Sequence, residues 1–147
     1  MQDRSGALEA AIAAETLVET RLDRAGQRLH ELNLRLFGLR DRIRAAQPVS
    51  SGSVCLELYP CGPGCSGCPH PRWVRYHWRV LPDGVTSVLI TSNLDAQKRE
   101  PILALPRAAP HYAATAALIR ESKPILAMRR DLLTAMRTLH AAASRKL

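Results

Sequence analysis

Apolar residues recur at alternating three- and four-residue spacing over the first third of the chain, as on one face of a helix. One row of these positions repeats every seven residues, and a second row lies between its members. The rows are Leu22, Leu29, Leu36 and Ile43, and Val18, Ala25, Leu32, Leu39 and Ala46. The pattern predicts one long helix over residues 5–46. Its coiled-coil seam would pack on another helix of the chain or on an antiparallel partner.

An arginine precedes each member of the first row, so positive charge follows one edge of the seam. These residues are Arg21, Arg28, Arg35 and Arg42. In a parallel pair of identical helices they would face Gly26, Asn33 and Arg40, and no acidic side chain would form an ion pair with them. The pattern disfavours a parallel zipper and makes this arginine line a candidate surface for nucleic acid.

Residues 48–92 change to the two-residue alternation of β-strands, after a run of helix-breaking Pro, Ser and Gly residues. The alternation predicts strands over residues 54–59, 72–80 and 85–91, which would form a three-stranded antiparallel sheet. The two faces of the second strand carry Val74, Tyr76, Trp78 and Val80, and Trp73, Arg75, His77 and Arg79.

Helical composition returns in residues 93–147. Residues 111–121 predict an Ala-rich helix, and Ser122 predicts the N-cap of a further long helix with Pro124 in its first turn. The apolar stripe of that helix is Ile125, Met128, Leu132, Met136, Leu139 and Ala143. Such a stripe is expected to return along the first helix and bury both seams.

The loop between the first two predicted strands, Cys61–His70, holds three thiols and one imidazole within ten residues. Zinc takes four such donors in a tetrahedron, and the intervening Gly and Pro residues let the backbone turn around one ion. The predicted ligands are Cys61, Cys65, Cys68 and His70. His77 and Cys55 are the alternatives for the fourth ligand.

Four protein ligands would fill the zinc shell and leave no open position for water or substrate. The sequence also lacks a P-loop, a dinucleotide fingerprint and the His-x-Glu element of zinc deaminases. We therefore expect a structural Zn²⁺ centre, no enzyme activity and no small-molecule substrate.

The fold expected from these patterns is α+β and mainly helical. A long N-terminal helix (residues 1–47) is coiled-coil-like, residues 48–92 form a zinc-bound three-stranded module, and the C-terminal helices (residues 93–147) pack back on the first.

Charge points to a polyanionic partner, because 21 Lys and Arg residues stand against 13 Asp and Glu residues, a formal net charge of +8. The expected contact surface on the second strand mixes cations with an aromatic ring on which a base could stack. Its residues are Arg72, Trp73, Arg75, His77 and Arg79. These features predict a nucleic-acid-binding protein, with DNA the favoured partner.

The stretch from Gly52 to Trp73 resembles a family of small zinc-binding proteins encoded in bacterial mobile elements, often beside transposases or recombinases. The matching residues are Gly52, Ser53, Tyr59, Cys61, Gly62, Cys65, Cys68, His70, Pro71 and Trp73. Two residues rather than one separate Cys65 from Cys68, and the family's Gly after the His is missing here. The resemblance implies a helix before the metal loop, a long helix after it, and service to a mobile element or plasmid.

Acidic residues interrupt the apolar N-terminal stretch, and no apolar run is long enough to span a membrane, so we expect a cytoplasmic protein without a membrane partner. The alternative function is a protein-interaction adaptor in a larger assembly, such as a recombinase or CRISPR-type complex, without DNA affinity of its own. The long helical seam motivates that alternative, through a protein partner or a homodimer.

Overall fold

A computed structural model of the chain describes residues 4–48 and 50–146. Residues 1–3 and 147, at the ends of the first and last predicted segments, lie outside this description. Helix α1 spans Arg4–Ala45, which confirms the prediction of a long N-terminal helix. Its C-terminal half packs in the protein through Leu32, Leu36, Leu39 and Ile43, which are buried. Its N-terminal half leaves the same apolar face exposed.

The sheet contains strands β1 (Val54–Tyr59), β2 (His70–Val80) and β3 (Ser87–Asn93), in the order β1-β2-β3. Both pairings are antiparallel, as predicted. Strand β2 begins two residues earlier than the alternation indicated, because His70 pairs with Tyr59 at the end of the β1–β2 hairpin. The predicted metal loop therefore closes this hairpin.

The C-terminal region contains the short helix α2 (Pro101–Ala104) and the long helix α3 (Tyr112–Ala143). Arg42 on α1 pairs with Glu121, whereas Asn33, an earlier α1 residue, bonds Arg129, a later one on α3. This order shows that α3 runs antiparallel to α1. The expected return of the C-terminal helix along the first is confirmed.

The predicted helix start at Ser122 is wrong, because α3 passes through this position without interruption. Ser122 is buried, and its hydroxyl donates to the carbonyl of Ile119 instead of capping a helix end. Pro124 lies inside α3, where it leaves the Arg120 carbonyl without its usual helical N–H donor. Packing of residues on both sides of Ser122 against the core, including Ile119 and Ile125, keeps the helix continuous.

Replacing this proline should stabilise the protein. Pro124 is exposed, so Pro124→Ala removes no buried contact and restores one helical hydrogen bond. We expect the free energy of unfolding to rise by about 1–3 kcal/mol, measured by urea denaturation. The matched control is Pro101→Ala at the start of α2, where no N–H donor is needed and little change is expected. A Pro124→Ala variant less stable than the parent would contradict a continuous α3.

The hydrophobic core lies between α1, α3 and one face of the sheet. Its members are Leu32, Leu36, Leu39, Ile43, Val54, Leu56, Trp73, Leu94, Ala104, Leu105, Ala116, Ile119 and Ile125. Trp73 is only 8% exposed, whereas Trp78, on the opposite face of β2, is 48% exposed. The prediction of Trp73 as an exposed stacking surface is therefore corrected. Its face of the sheet turns toward the helices.

A buried glutamine joins the end of α1 to the sheet. The Gln47 amide nitrogen donates to the carbonyls of Ile43 and Val54, at 3.1 and 2.7 Å, and its amide oxygen accepts from Val54 N–H at 2.9 Å. With these three bonds both polar atoms of the amide have hydrogen-bond partners, as burial requires. They fix the position of β1, and through its hairpin the metal loop, relative to the helices.

Candidate metal centre and cationic groove

The four predicted ligands come together in one cluster. The donor atoms of Cys61, Cys65, Cys68 and His70 all lie within 4.8 Å of one another. Cys61 Sγ is 3.3 Å from Cys68 Sγ, and His70 Nε2 is 3.3 Å from both Cys61 Sγ and Cys65 Sγ. A tetrahedron with metal–sulfur bonds of about 2.3 Å separates its sulfurs by about 3.8 Å. The cluster therefore has the size and donor set of a tetrahedral metal site.

Local backbone structure brings these ligands together. Antiparallel pairing sets Tyr59 opposite His70, so Cys61 leaves β1 close to the point where His70 begins β2. Gly62 and Gly64 have φ values of +128° and +81°, which favour glycine and let the chain turn back between the first two cysteines. The site is thus built from a short stretch of sequence, which is why its ligands could be predicted from spacing.

The thiols of Cys61 and Cys65 interact closely, and their pKa values shift in opposite directions. Hydrogen bonds from Cys61, Gly67 N–H and His70 lower the pKa of Cys65 to about 6. Hydrogen bonding with Cys65 and Cys68 raises the pKa of Cys61 to about 12. A bound cation would stabilise the thiolate forms, which are the metal-binding form of cysteine. The cluster is therefore suited to a divalent cation.

The two alternatives for the fourth ligand lie outside the cluster. Cys55 is 4% exposed and pairs across the sheet with Val74, and burial raises the pKa of its thiol to about 11. His77 Nε2 lies 2.9 Å from the Ser92 hydroxyl on β3. Of these three candidates, the structure places only His70 beside the three cysteines.

A buried arginine on α3 ties the metal loop to both long helices. The Arg129 guanidinium donates to the carbonyls of Gly67 and Pro69, at 2.9 and 2.7 Å, and to Asn33 Oδ1 on α1 at 2.7 Å. It is 3% exposed. Burial lowers the pKa of Arg129, and negative charge at Cys68 opposes that shift. Spacing alone gave no signal for this residue, because its partners are distant in sequence.

The cations predicted to bind nucleic acid on β2 differ in accessibility. The Arg72 guanidinium stacks on the Tyr59 ring at 3.8 Å and bonds the Tyr59 hydroxyl, so it is engaged within the protein. Arg75 and His77 are partly buried, whereas Arg79 is exposed. With Trp73 in the core, the predicted strand surface is not one continuous exposed face.

Tyr59 also belongs to a hydrogen-bonded group around Glu57. The hydroxyls of Tyr59 and Tyr76 both donate to the Glu57 carboxylate, the latter at 2.7 Å. Partial burial works to raise the pKa of Glu57, but these two hydrogen bonds lower it overall. The group stabilises the face of the sheet opposite the core and holds Arg72 in place.

The arginine line of α1 is divided between ion pairs and solvent. Arg28 pairs with Glu31 at 2.9 Å, and Arg42 pairs with Glu121 at 3.0 Å. Arg21 and Arg35 are exposed. These four cations lie along one helix edge, but half of them are already partnered within the chain.

A larger collection of cations lines two clefts along α3. Two adjoining clefts of about 660 and 530 Å³ share Trp73, Asp95, Leu126 and Arg130 in their lining. We call them together the cationic groove. Its basic residues are Lys98, Arg99, Arg120, Lys123, Arg129, Arg130 and Arg137. The metal loop lines part of the second cleft, through Cys65 and His70.

Most of these cations have no acidic partner. Among residues 4–48 and 50–146, Lys98, Arg99, Arg120, Lys123 and Arg137 make no ion pair, and all five are exposed. Asp95, one of two acids in the lining, accepts the Trp73 N–H at 3.0 Å and so has a structural partner. The sequence shows an excess of basic residues after residue 93, but only the fold shows that several of them line one groove.

Within the part of the chain that the structure describes, no helix has the length and apolar character needed to cross a membrane. In comparisons with known proteins, no family model, curated protein or solved structure shows significant similarity to this chain.

Proposed function

We propose that this protein is a basic, zinc-stabilised nucleic-acid-binding accessory protein, with DNA the favoured partner. The observation that carries the proposal is the set of exposed, unpaired cations along the cationic groove. Placing phosphates beside such cations releases the counterions condensed on the nucleic acid, which is the main source of nonspecific affinity. The groove therefore replaces the β2 face as the main contact surface in this proposal.

The groove has the layout of a backbone-tracking surface. Lys98 and Arg99 come from the segment before α2, and Arg120 and Lys123 from α3. Arg137, further along α3, lines the same cleft as the metal loop. Cations spread over both clefts suit an extended chain of phosphates better than a single compact anion. We propose that the nucleic acid backbone follows α3 from α2 toward the metal loop.

The donor chemistry favours zinc as the metal. Three thiolates and one imidazole form a usual structural set for Zn²⁺, which bound here would hold the loop shut without supplying reaction chemistry. Because the four protein donors fill a tetrahedron, we assign the chain no catalytic reaction. In this proposal the metal fixes the wall of the groove formed by Cys65 and His70.

The setting of the function rests on the sequence resemblance. The likeness of Gly52–Trp73 to zinc-binding proteins of mobile elements motivates a role beside a recombinase or transposase of a bacterial element or plasmid, in the cytoplasm. Reduced thiols in that compartment would remain free to bind metal.

Binding should depend steeply on salt. We expect fluorescence anisotropy with labelled duplex and single-stranded DNA to show affinity that falls roughly 10²- to 10³-fold between about 50 and 200 mM salt, for about five phosphate contacts. Comparison of the two DNA forms then identifies the preferred partner. Absence of binding to either form, and to RNA of the same sequence, at the lower salt concentration would overturn the proposal.

A protein-interaction adaptor is the second candidate. The observation that favours it is the exposed apolar face on the first half of α1, where Leu8, Ile12, Val18 and Leu22 are 44–63% exposed. Exposed apolar surface of this kind marks interaction sites. Light scattering separates the two functions, because a salt-resistant dimer without nucleic acid affinity would favour the adaptor.

A further inference from the structure

The buried guanidinium of Arg129 carries a charge that no described carboxylate pairs with. Within residues 4–48 and 50–146, no acidic side chain lies at ion-pair distance from this guanidinium, although it is 3% exposed. Its hydrogen-bond acceptors are two loop carbonyls and one amide oxygen, all neutral. A buried charge of this kind is costly unless a counter-charge lies nearby.

An occupied metal centre would supply that counter-charge. Three thiolates and one neutral imidazole around a divalent cation carry a net charge of about −1. The two carbonyls that Arg129 binds belong to Gly67 and Pro69, the residues on either side of Cys68. Arg129 and the cluster residues Cys65 and His70 line the same cleft. The only buried arginine of the described chain is therefore held against the ligand loop.

We propose that Arg129 is a positioning residue of the metal centre, which holds the ligand loop by its carbonyls and offsets the negative charge of the occupied site. Through Asn33 the same guanidinium joins the loop to α1, so metal occupancy and the packing of α1 on α3 are coupled. This inference rests on the metal centre of the proposed function but not on nucleic acid binding.

The test compares Arg129→Met and Arg129→Lys with the parent protein. Each protein is loaded with Zn²⁺, and its affinity for the ion is measured by competition with a chromophoric chelator. We expect Arg129→Met to bind Zn²⁺ about 10- to 100-fold more weakly, the usual effect of losing an outer-shell partner. Arg129→Lys, which keeps the charge, should recover part of that loss. Arg107→Met, an exposed arginine outside the cluster, should match the parent.

A second measurement separates charge compensation from simple packing. If Arg129 offsets the charge of the centre, Arg129→Met lowers the unfolding midpoint of the zinc-loaded protein more than that of the zinc-free protein. Equal shifts in the two forms, with unchanged Zn²⁺ affinity, would overturn the inference and leave a packing role. A parent protein that binds no Zn²⁺ would instead refute the metal centre itself, and DNA binding is tested independently.

Discussion

A Cys61→Ser, Cys65→Ser variant is expected to lose its metal, whereas the parent, purified without added metal, should carry about one zinc per chain. Serine hydroxyls stay protonated at neutral pH and bind zinc far more weakly than thiolates. The double variant keeps only Cys68 and His70 of the four donors that lie within 4.8 Å of one another. Elemental analysis of both proteins checks the result.

The loss should lower stability by several kcal/mol but leave the helices folded. Structural zinc contributes about 10–16 kcal/mol in peptides that have no other core. Here the core between α1, α3 and the sheet does not include the cluster residues, so a smaller effect is expected. Denaturation by guanidinium gives the change in unfolding free energy. Far-ultraviolet circular dichroism should show the helical signal of the parent.

Cys55 provides the matched control for this experiment. It is the one cysteine of the chain outside the cluster, and it is buried in the sheet. Cys55→Ala should keep its zinc and lose only the stability of a small buried side chain. Retention of zinc by the double serine variant, or loss of zinc from Cys55→Ala, would show that the ligand set is wrong.

The parts of the fold that could be predicted are those specified by neighbouring residues. The seven-residue rows of α1 and the alternation of β2 are local patterns, and each predicted the correct element. The ligands from Cys61 to His70 lie within a single hairpin end, so their spacing alone was informative. Local geometry also chose His70 over His77, because His70 begins the strand that starts at the loop.

The parts that could not be predicted depend on contacts between distant segments. Alternation separates the two faces of β2 but does not tell which one meets the helices, so Trp73 was predicted on the contact surface although it lies in the core. The continuation of α3 through Pro124 depends on core packing that outweighs the local helix-breaking tendency. The cationic groove combines the segment after β3, α3 and the metal loop, and no one of these segments carries its pattern.

Reversing two charges in the groove should remove most of the affinity for nucleic acid. Lys123 and Arg130 are exposed residues of α3, and Arg130 lines both clefts of the groove. A Lys123→Glu, Arg130→Glu variant replaces two attractive sites with two that repel phosphate. We expect affinity for DNA to fall about 100-fold or more at low salt, and the slope of log K against log salt to decrease by about two.

Two matched variants decide where the nucleic acid binds, because each changes two arginines at another candidate surface. Arg21→Glu, Arg35→Glu makes the same charge change on the exposed edge of α1, and Arg75→Ala, Arg79→Ala removes two cations of β2. Long-range attraction depends on net charge, so the α1 variant should lose some affinity at low salt, but the loss should largely disappear near 150 mM salt, where screening acts within about 8 Å. The loss in the groove variant should persist there, because direct contacts are removed.

Equal losses in the groove and α1 variants at that salt would mean that only net charge matters. A larger loss in the β2 variant would return the contact surface to Arg75 and Arg79.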